Sequence, residues 1–331
     1  LPKHSYPITS SVTPDLLDTP CPTLSNLQLE GTLYACQKHC TVFGSGTRAG
    51  FFIGDGAGVG KGRQLASIVM DSFVRGRKQH LWFSASNDLY LDACRDMADI
   101  HCHITVIRGC SELDNRNNKA MGLTKAYKQG VLYNTYSTLI SSGQGKGNRL
   151  DQIISWCGGN AFEGVIIFDE SHKAKNFVPG SKNASSRVGL AVIELQRRLP
   201  KARVVYASAT GVAETKNLAF MERLGLWGPG TLYADFPDFL KSISNRGIGA
   251  LELLAMEMKS AGTYVSRGLS FHTCEFSTLA CDLTSEQISL YDASVDLWRR
   301  VRLALLKAQE LTSCGNSVWK QFWATHQRFF S

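Results

Sequence analysis

No apolar run in this 331-residue chain approaches the roughly 20 residues that a membrane-spanning helix needs. The first 17 residues show neither a basic start followed by an apolar stretch nor a cleavage-like site. These absences exclude a transmembrane reading and leave no visible secretion signal. No CxxC pair occurs among the ten cysteines, which fall in segments that read as core, so reduced thiols fit better than a disulfide framework. Cys36, His39 and Cys40 would share a helix face, but no second ligand pair stands out. The trio reads as buried thiols beside an exposed histidine rather than a zinc site. There is also no run of five basic residues, no internal repeat and no low-complexity tract. Thirty-six Lys and Arg against 28 Asp and Glu leave a net +8, a bias that permits a polyanionic partner without requiring one.

What the chain does contain is 44% hydrophobic residues, enough for one large core or two modest ones. Short β-rich runs at 51–53, 81–84, 104–107, 131–134, 165–168 and 204–207 are continuously apolar in most cases, as in strands covered on both faces. Helix-length segments separate them, such as the periodic Leu65, Ile68, Val69 and Phe73, or Leu190, Ile193, Leu195 and Leu199. This rhythm predicts an α/β fold with a doubly wound, mainly parallel sheet. Residues 142–148 and 175–187 read as surface loops. Thr284 and Gln287 form a capping box, after which Ile288, Tyr291, Val295, Trp298, Val301 and Leu305 predict a long amphipathic helix.

Three motifs carry chemistry. Gly54-Asp55-Gly56-Ala57-Gly58-Val59-Gly60-Lys61-Gly62-Arg63 follows an apolar strand and opens an amphipathic helix. Glycines there let backbone N–H groups point inward, the helix start favours anions, and Lys61 supplies a point charge for β- and γ-phosphates. The usual pattern places a Ser or Thr hydroxyl after the Lys to help hold Mg²⁺, and here that position is Gly62, so a metal must use other ligands and water. Val165 to Phe168 then runs into Asp169-Glu170-Ser171-His172. Two acids at the end of a strand suit Mg²⁺-nucleotide hydrolysis, with Asp169 holding the metal and Glu170 polarising the attacking water. Ser208-Ala209-Thr210 follows the next strand, where its hydroxyls would lie near the acids and His172 and sense a γ-phosphate. Upstream, Gln28 offers the donor and acceptor that an adenine edge needs, although an exposed helix glutamine explains it equally well.

In this order the motifs resemble the first RecA-type lobe of a superfamily 2 helicase-like ATPase. Asp55 to Lys61 resembles the Asp-x-x-Gly-x-Gly-Lys of Snf2-type remodellers, and Asp169 to His172 a DExH box. A closer similarity is to the strawberry notch family, carried by residues 48–63, Leu81-Trp82-Phe83-Ser84 with Asn87-Asp88-Leu89, residues 167–176, 208–211, 223–228 and 321–330. The resemblance implies ATP and Mg²⁺ as cofactors, with Gln28, Asp55, Gly58, Val59, Gly60, Lys61, Gly62 and Arg63 around the nucleotide, and makes Gly62 part of the family's own Gly-Lys-Gly-Arg pattern. It further implies chromatin-linked transcriptional regulation in the nucleus, with DNA, histones or transcription regulators as partners. It divides the chain into an irregular segment at 1–23, a P-loop lobe at 24–275 and a helical bridge at 276–331. The second RecA-like lobe, whose arginines complete such a site, is expected beyond Ser331. The alternative is a nucleotide-binding scaffold that is catalytically weak and recruits chromatin or transcription partners. A P-loop kinase of small substrates is disfavoured, because it needs neither the DExH nor the Ser-Ala-Thr piece.

Overall fold

In a computed structural model of the chain, the apolar runs become a single seven-stranded sheet. The structure describes residues 5–8, 24–113, 127–142, 148–174, 177–179, 185–209, 215–244, 248–268, 275, 277–312, 319 and 322–325. The strands are β1 (Phe51–Ile53), β2 (Gln79–Ser84), β3 (Val106–Arg108), β4 (Gly130–Thr135), β5 (Val165–Phe168), β6 (Arg203–Ala207) and β7 (Tyr264–Val265). They run β3-β4-β2-β5-β6-β1-β7, and every pairing is parallel. Helices α1 (Asn26–Lys38), α2 (Lys61–Val74), α3 (Leu89–Asp99), α4 (Arg149–Cys157), α5 (Arg187–Arg198), α6 (Phe236–Ser244) and α7 (Ile248–Ser260) cover the two faces. The α/β class and the parallel sheet expected from the sequence are both present.

Alternation along each strand feeds two cores. Phe51, Ile53, Val165, Ile167, Val205 and Ala207 point to the face covered by α1, α2 and α3, while Phe52, Ile166, Phe168, Val204 and Tyr206 point to the other. Both faces are buried, so both side-chain sets are apolar, and the strands read as continuous runs. On the second face the rings of Phe83, Phe168 and Tyr206 stack at centroid spacings of 5.7 Å each, and Tyr206 meets Phe220 edge-on at 5.9 Å. Near the amino-terminal strand ends, the buried Arg223 guanidinium donates to the carbonyls of Arg48, Pro200, Leu199 and Gln196, which ties the entries of β1 and β6 to one point.

Three departures from the sequence reading have local causes. β7 escapes notice because it is only two residues long, and its pairing with β1 places Tyr264 beside Phe52 and Val265 beside Ile53. β3 begins at Val106 rather than 104, since as an edge strand it pairs only with β4. His39 is buried, not exposed. Its Nε2 lies 3.1 Å from the Val204 carbonyl, and burial pushes its pKa down to about 3. With Cys36 buried and Cys40 exposed, these residues form no metal centre; among the described residues no group of three or more His, Cys, Asp or Glu is arranged to hold a metal ion. None of the seven described cysteines is in a disulfide.

The chain divides into units Leu1–Ser270 and Phe271–Ser331. In the second, the capping box is present in both directions: Thr284 N–H donates to Gln287 Oε1 at 2.9 Å, and Gln287 N–H to Thr284 Oγ1 at 3.2 Å. It opens α8 (Ser285–Thr312), whose Trp298 meets the buried Phe322 edge-on at 5.5 Å. No helix among the described residues is long and apolar enough to cross a membrane.

Candidate nucleotide-binding site

The sheet order decides what meets what. β5, β6 and β1 are consecutive neighbours, so the segments leaving their carboxyl ends emerge side by side about 5 Å apart per strand. Those segments are Asp169–His172, Ser208–Ala209 and the glycine loop, in that order. Ser208 N–H donates to the Ile53 carbonyl at 3.1 Å, which closes the gap between the second and third. A crevice at the carboxyl ends of parallel strands is where open α/β sheets bind ligands.

Gly58 and Gly60 both hold φ of +84°, a left-handed conformation that side chains resist. Gly60 is the N-cap of α2 and no side chain caps that helix, so its first-turn N–H groups keep their bonding capacity. Lys61 Nζ donates to the loop carbonyls of Asp55 at 3.1 Å and Gly56 at 3.3 Å. Gln28 sits against the loop from α1, and a Cβ on Gly60 would fall 2.2 Å from its Nε2. That amide donates to the Val59 carbonyl at 3.1 Å, while Oε1 accepts Ser25 N–H at 3.0 Å in a capping box. Gln28 is therefore buried, not the exposed helix residue of the simpler sequence reading.

Asp55 is fully buried beneath the loop. Its Oδ1 accepts from Arg267 N–H at 2.9 Å and Nε at 3.1 Å, and its Oδ2 from Arg267 Nη2 at 2.6 Å and Gln64 Nε2 at 2.9 Å. Both oxygens are thus committed inside the protein, so Asp55 positions the loop and is not available to a ligand. Arg267 also donates to Glu30 and to the Leu27 carbonyl, and its own carbonyl accepts Gly56 N–H at 2.7 Å. Burial works against the Arg267 charge, but its bonds to Asp55 and Glu30 outweigh that and raise its pKa. The sequence reading missed Arg267, Gln64 and Glu30. Arg267 lies just beyond β7, and neither of the others belongs to a motif.

Gly62 has a packing reason. A Cβ there would fall 1.8 Å from Oδ2 of Asp96 on α3, so the Asp96 carboxylate fills the space that a side chain at 62 would take. Arg63, expected near the nucleotide, instead donates from Nε and Nη2 to Asp99 Oδ2, at 3.2 and 2.7 Å, and fastens α2 to α3.

At the end of β5, Asp169 Oδ1 accepts Glu170 N–H at 2.9 Å and Oδ2 accepts the Ser84 hydroxyl at 3.2 Å, while Tyr136 OH donates to the Asp169 carbonyl at 2.8 Å. Burial, and then the neighbouring Glu170 charge, raises the Asp169 pKa to about 6. Glu170 holds φ of +47°, a left-handed conformation costly for a non-glycine residue, which turns its side chain out of the strand line. His172 Nδ1 lies 3.2 Å from Glu170 Oε2 and 3.2 Å from Ser208 Oγ, so it links the acid pair to the end of β6. Ala209 is exposed beside it, and Thr210 lies outside the described residues.

Residues 1–293 match the protein family described as P-loop containing NTP hydrolase pore-1. The chain belongs to that family. This family member is similar to strawberry notch proteins: 46% identical over 319 residues to strawberry notch homolog 1 of Gallus gallus, and 45% over 315 residues to strawberry notch of Drosophila melanogaster. Each match covers 93% of this chain, but only 25% and 19% of those relatives. FORGETTER 1 of Arabidopsis thaliana is 40% identical over 349 residues, covering 99% of this chain and 27% of its own length. The chain therefore spans about a quarter of the curated relatives it matches. Among solved structures, the Sulfolobus solfataricus SWI2/SNF2 ATPase core in complex with dsDNA superposes with a TM-score of 0.50 at 18% identity, over 84% of this chain and 53% of that one. The shared fold is RecA-like.

Two outcomes follow from this geometry. Gly62→Ser should destabilise the wild-type chain by about 1 kcal/mol through collision with Asp96, yet stabilise an Asp96→Ala background, where helix propensity favours serine over glycine. Urea midpoints of the four proteins test that change of sign. Because the folded pKa of Asp169 exceeds its ordinary value of 3.8, its ionised form costs stability above pH ~6 and the cost disappears below pH ~4. Asp169→Asn should thus be more stable than wild type above pH ~6, by up to about 3 kcal/mol, with the advantage shrinking toward pH ~4.

Proposed function

We propose that this lobe binds ATP with Mg²⁺ and, in the complete protein, hydrolyses it in a DNA-directed or chromatin-directed cycle in the nucleus. The observation that carries this reading is the alignment of three motif ends on adjacent parallel strands, joined by the Ser208–Ile53 hydrogen bond and by His172 between Glu170 and Ser208. The residues fit a nucleotide triphosphate. The uncapped start of α2 offers N–H donors for phosphate oxygens, and the Lys61 ammonium can exchange two loop carbonyls for β- and γ-phosphates. Gln28 keeps one amide hydrogen and one lone pair for an adenine edge, since each end of its amide makes one bond to protein.

Mg²⁺, when bound, neutralises charge developing on the phosphates. Asp169, whose Oδ2 accepts the Ser84 hydroxyl, would hold it, because Gly62 brings no hydroxyl. Glu170 orients and polarises the attacking water, and His172 conveys the state of that acid to Ser208 and to the polynucleotide side of the lobe. The similar SWI2/SNF2 ATPase core was solved in complex with dsDNA, which supports DNA as the polymer. Segments 24–275 and 276–331 act as lobe and bridge in this scheme, with a second lobe supplying arginines to the same crevice.

The scaffold reading retains one supporting observation, the missing hydroxyl at Gly62. Turnover separates the two. The complete protein should hydrolyse ATP faster with duplex DNA than without, and Lys61→Ala and Glu170→Gln should each lower the rate at least ~100-fold. Wild-type turnover no higher than that of the variants would sink the enzymatic reading, and a fluorescent ATP analogue whose binding survives Lys61→Ala would remove the assignment of the loop.

A further inference from the structure

A second charged assembly lies at the opposite pole of the sheet. Parallel topology gathers there the residues that enter the strands: Arg48 before β1, Arg77 and Lys78 before β2, Glu163 before β5 and Arg203 at the start of β6. Three guanidiniums converge on a single oxygen. Glu163 Oε2 lies 3.4 Å from Arg203 Nη1, 3.7 Å from Arg48 Nη2 and 3.8 Å from Arg77 Nε. All three distances exceed the roughly 2.7–2.9 Å of a well-formed charge-assisted hydrogen bond. Three positive charges against one negative leave a local +2.

The surplus is expressed in the neighbours. Burial, and then the charges of Arg77 and Arg48, pull the Arg203 pKa down to about 10. His80 on β2 is driven down to about 3 by burial, with the charges of Arg77, Arg203 and Lys78 adding to it. Arg48 is fixed by donating to the carbonyls of Lys201 and His39, and Arg203 by donating to the Glu163 carbonyl, so two of the three cations cannot swing away. Arg77 and Lys78 line an open concavity of about 410 Å³ with Arg75, Glu163 and Gly164.

We propose that this concavity is a recognition site for one phosphoryl group, carried by a free phosphate or by a phosphorylated side chain. A phosphoryl dianion in the concavity offers several oxygens to Arg77 and Lys78 on its wall. Arg48 and Arg203, which lie behind Glu163 and do not line the concavity, contribute charge only, and the dianion offsets the local +2. The cations converge on a point rather than forming a track, which suits a single group over the backbone of a nucleic acid. Glu163 acts as the internal counter-ion that an arriving phosphate displaces from Arg77. This site is separate from the proposed nucleotide site and does not depend on it.

Calorimetric titration of the 331-residue chain with inorganic phosphate and with a phosphoserine peptide, in a phosphate-free buffer, tests the assignment. Saturable one-site binding of at least one of them is expected, weakened at least ~10-fold by Arg77→Gln and tightened by Glu163→Gln. Stronger binding of the peptide assigns a protein side chain as the source, and stronger binding of phosphate a free anion. Arg77→Gln should keep the wild-type thermal transition, since Arg77 is partly exposed. Glu163→Gln removes the counter-ion of three guanidiniums and should lower it, so its binding is read at a temperature where circular dichroism shows the native fold. Absence of saturable binding, or binding indifferent to Arg77→Gln, would overturn the proposal.

Discussion

The proposed nucleotide edge of this protein depends on a carboxylate buried beneath a glycine loop and a guanidinium more than 200 residues away in sequence. Asp55 is fully enclosed, and Arg267 meets it with three N–H donors while also reaching Glu30 and Leu27 on α1. An isolated charge at Asp55 would be costly to bury, and breaking such a pair from one side typically costs about 3–5 kcal/mol. The pair therefore does more than add stability. It sets the height of the loop over β1, because Gly54 and Gly56 N–H donate to the carbonyls of Val265 and Arg267 on the same segment. A loop rich in glycine has conformational freedom to lose, and this clamp removes it before any ligand arrives.

The same economy operates between helices. Gly62 leaves room for Asp96 and Arg63 grips Asp99, so the start of α2 is registered against α3 by two adjacent residues of one motif. The sheet then has two electrostatic poles. The carboxyl ends gather Asp169 and Glu170, acids at the rim of a cationic loop, whereas the amino ends gather arginines around a lone Glu163. Parallel strands make this separation possible, since all the entries lie at one end and all the exits at the other.

The features legible in the sequence were those encoded by contiguous residues. Continuous apolar runs marked six of the seven strands because each strand feeds two cores, and the capping box at Thr284 announced α8 because both of its bonds are local. Gly54 to Arg63 and Asp169 to His172 announced themselves by composition, and the topology sets both at the carboxyl end of the sheet. What stayed hidden is what depends on long-range pairing. β7 has too few residues to show a pattern, and Arg267 acquires its role only when β7 lies beside β1. The burial of Asp55 and His39 was likewise unreadable, since a polar residue is buried where distant partners satisfy it. From spacing alone Gly62 meant that a metal must use other ligands and water, and the structure supplies a steric reason for the glycine in Asp96.

If the Asp55–Arg267 clamp holds the glycine loop ready for the proposed nucleotide, removing either partner must weaken binding. A fluorescent ATP analogue with Mg²⁺, titrated into wild type, Asp55→Leu, Arg267→Met and the double variant, measures that loss. Each single variant should weaken binding at least ~10-fold, and the double should be no weaker than the weaker single, as for two residues acting as one unit. Unchanged affinity in a folded Arg267→Met protein would show that the loop binds nucleotide without the clamp.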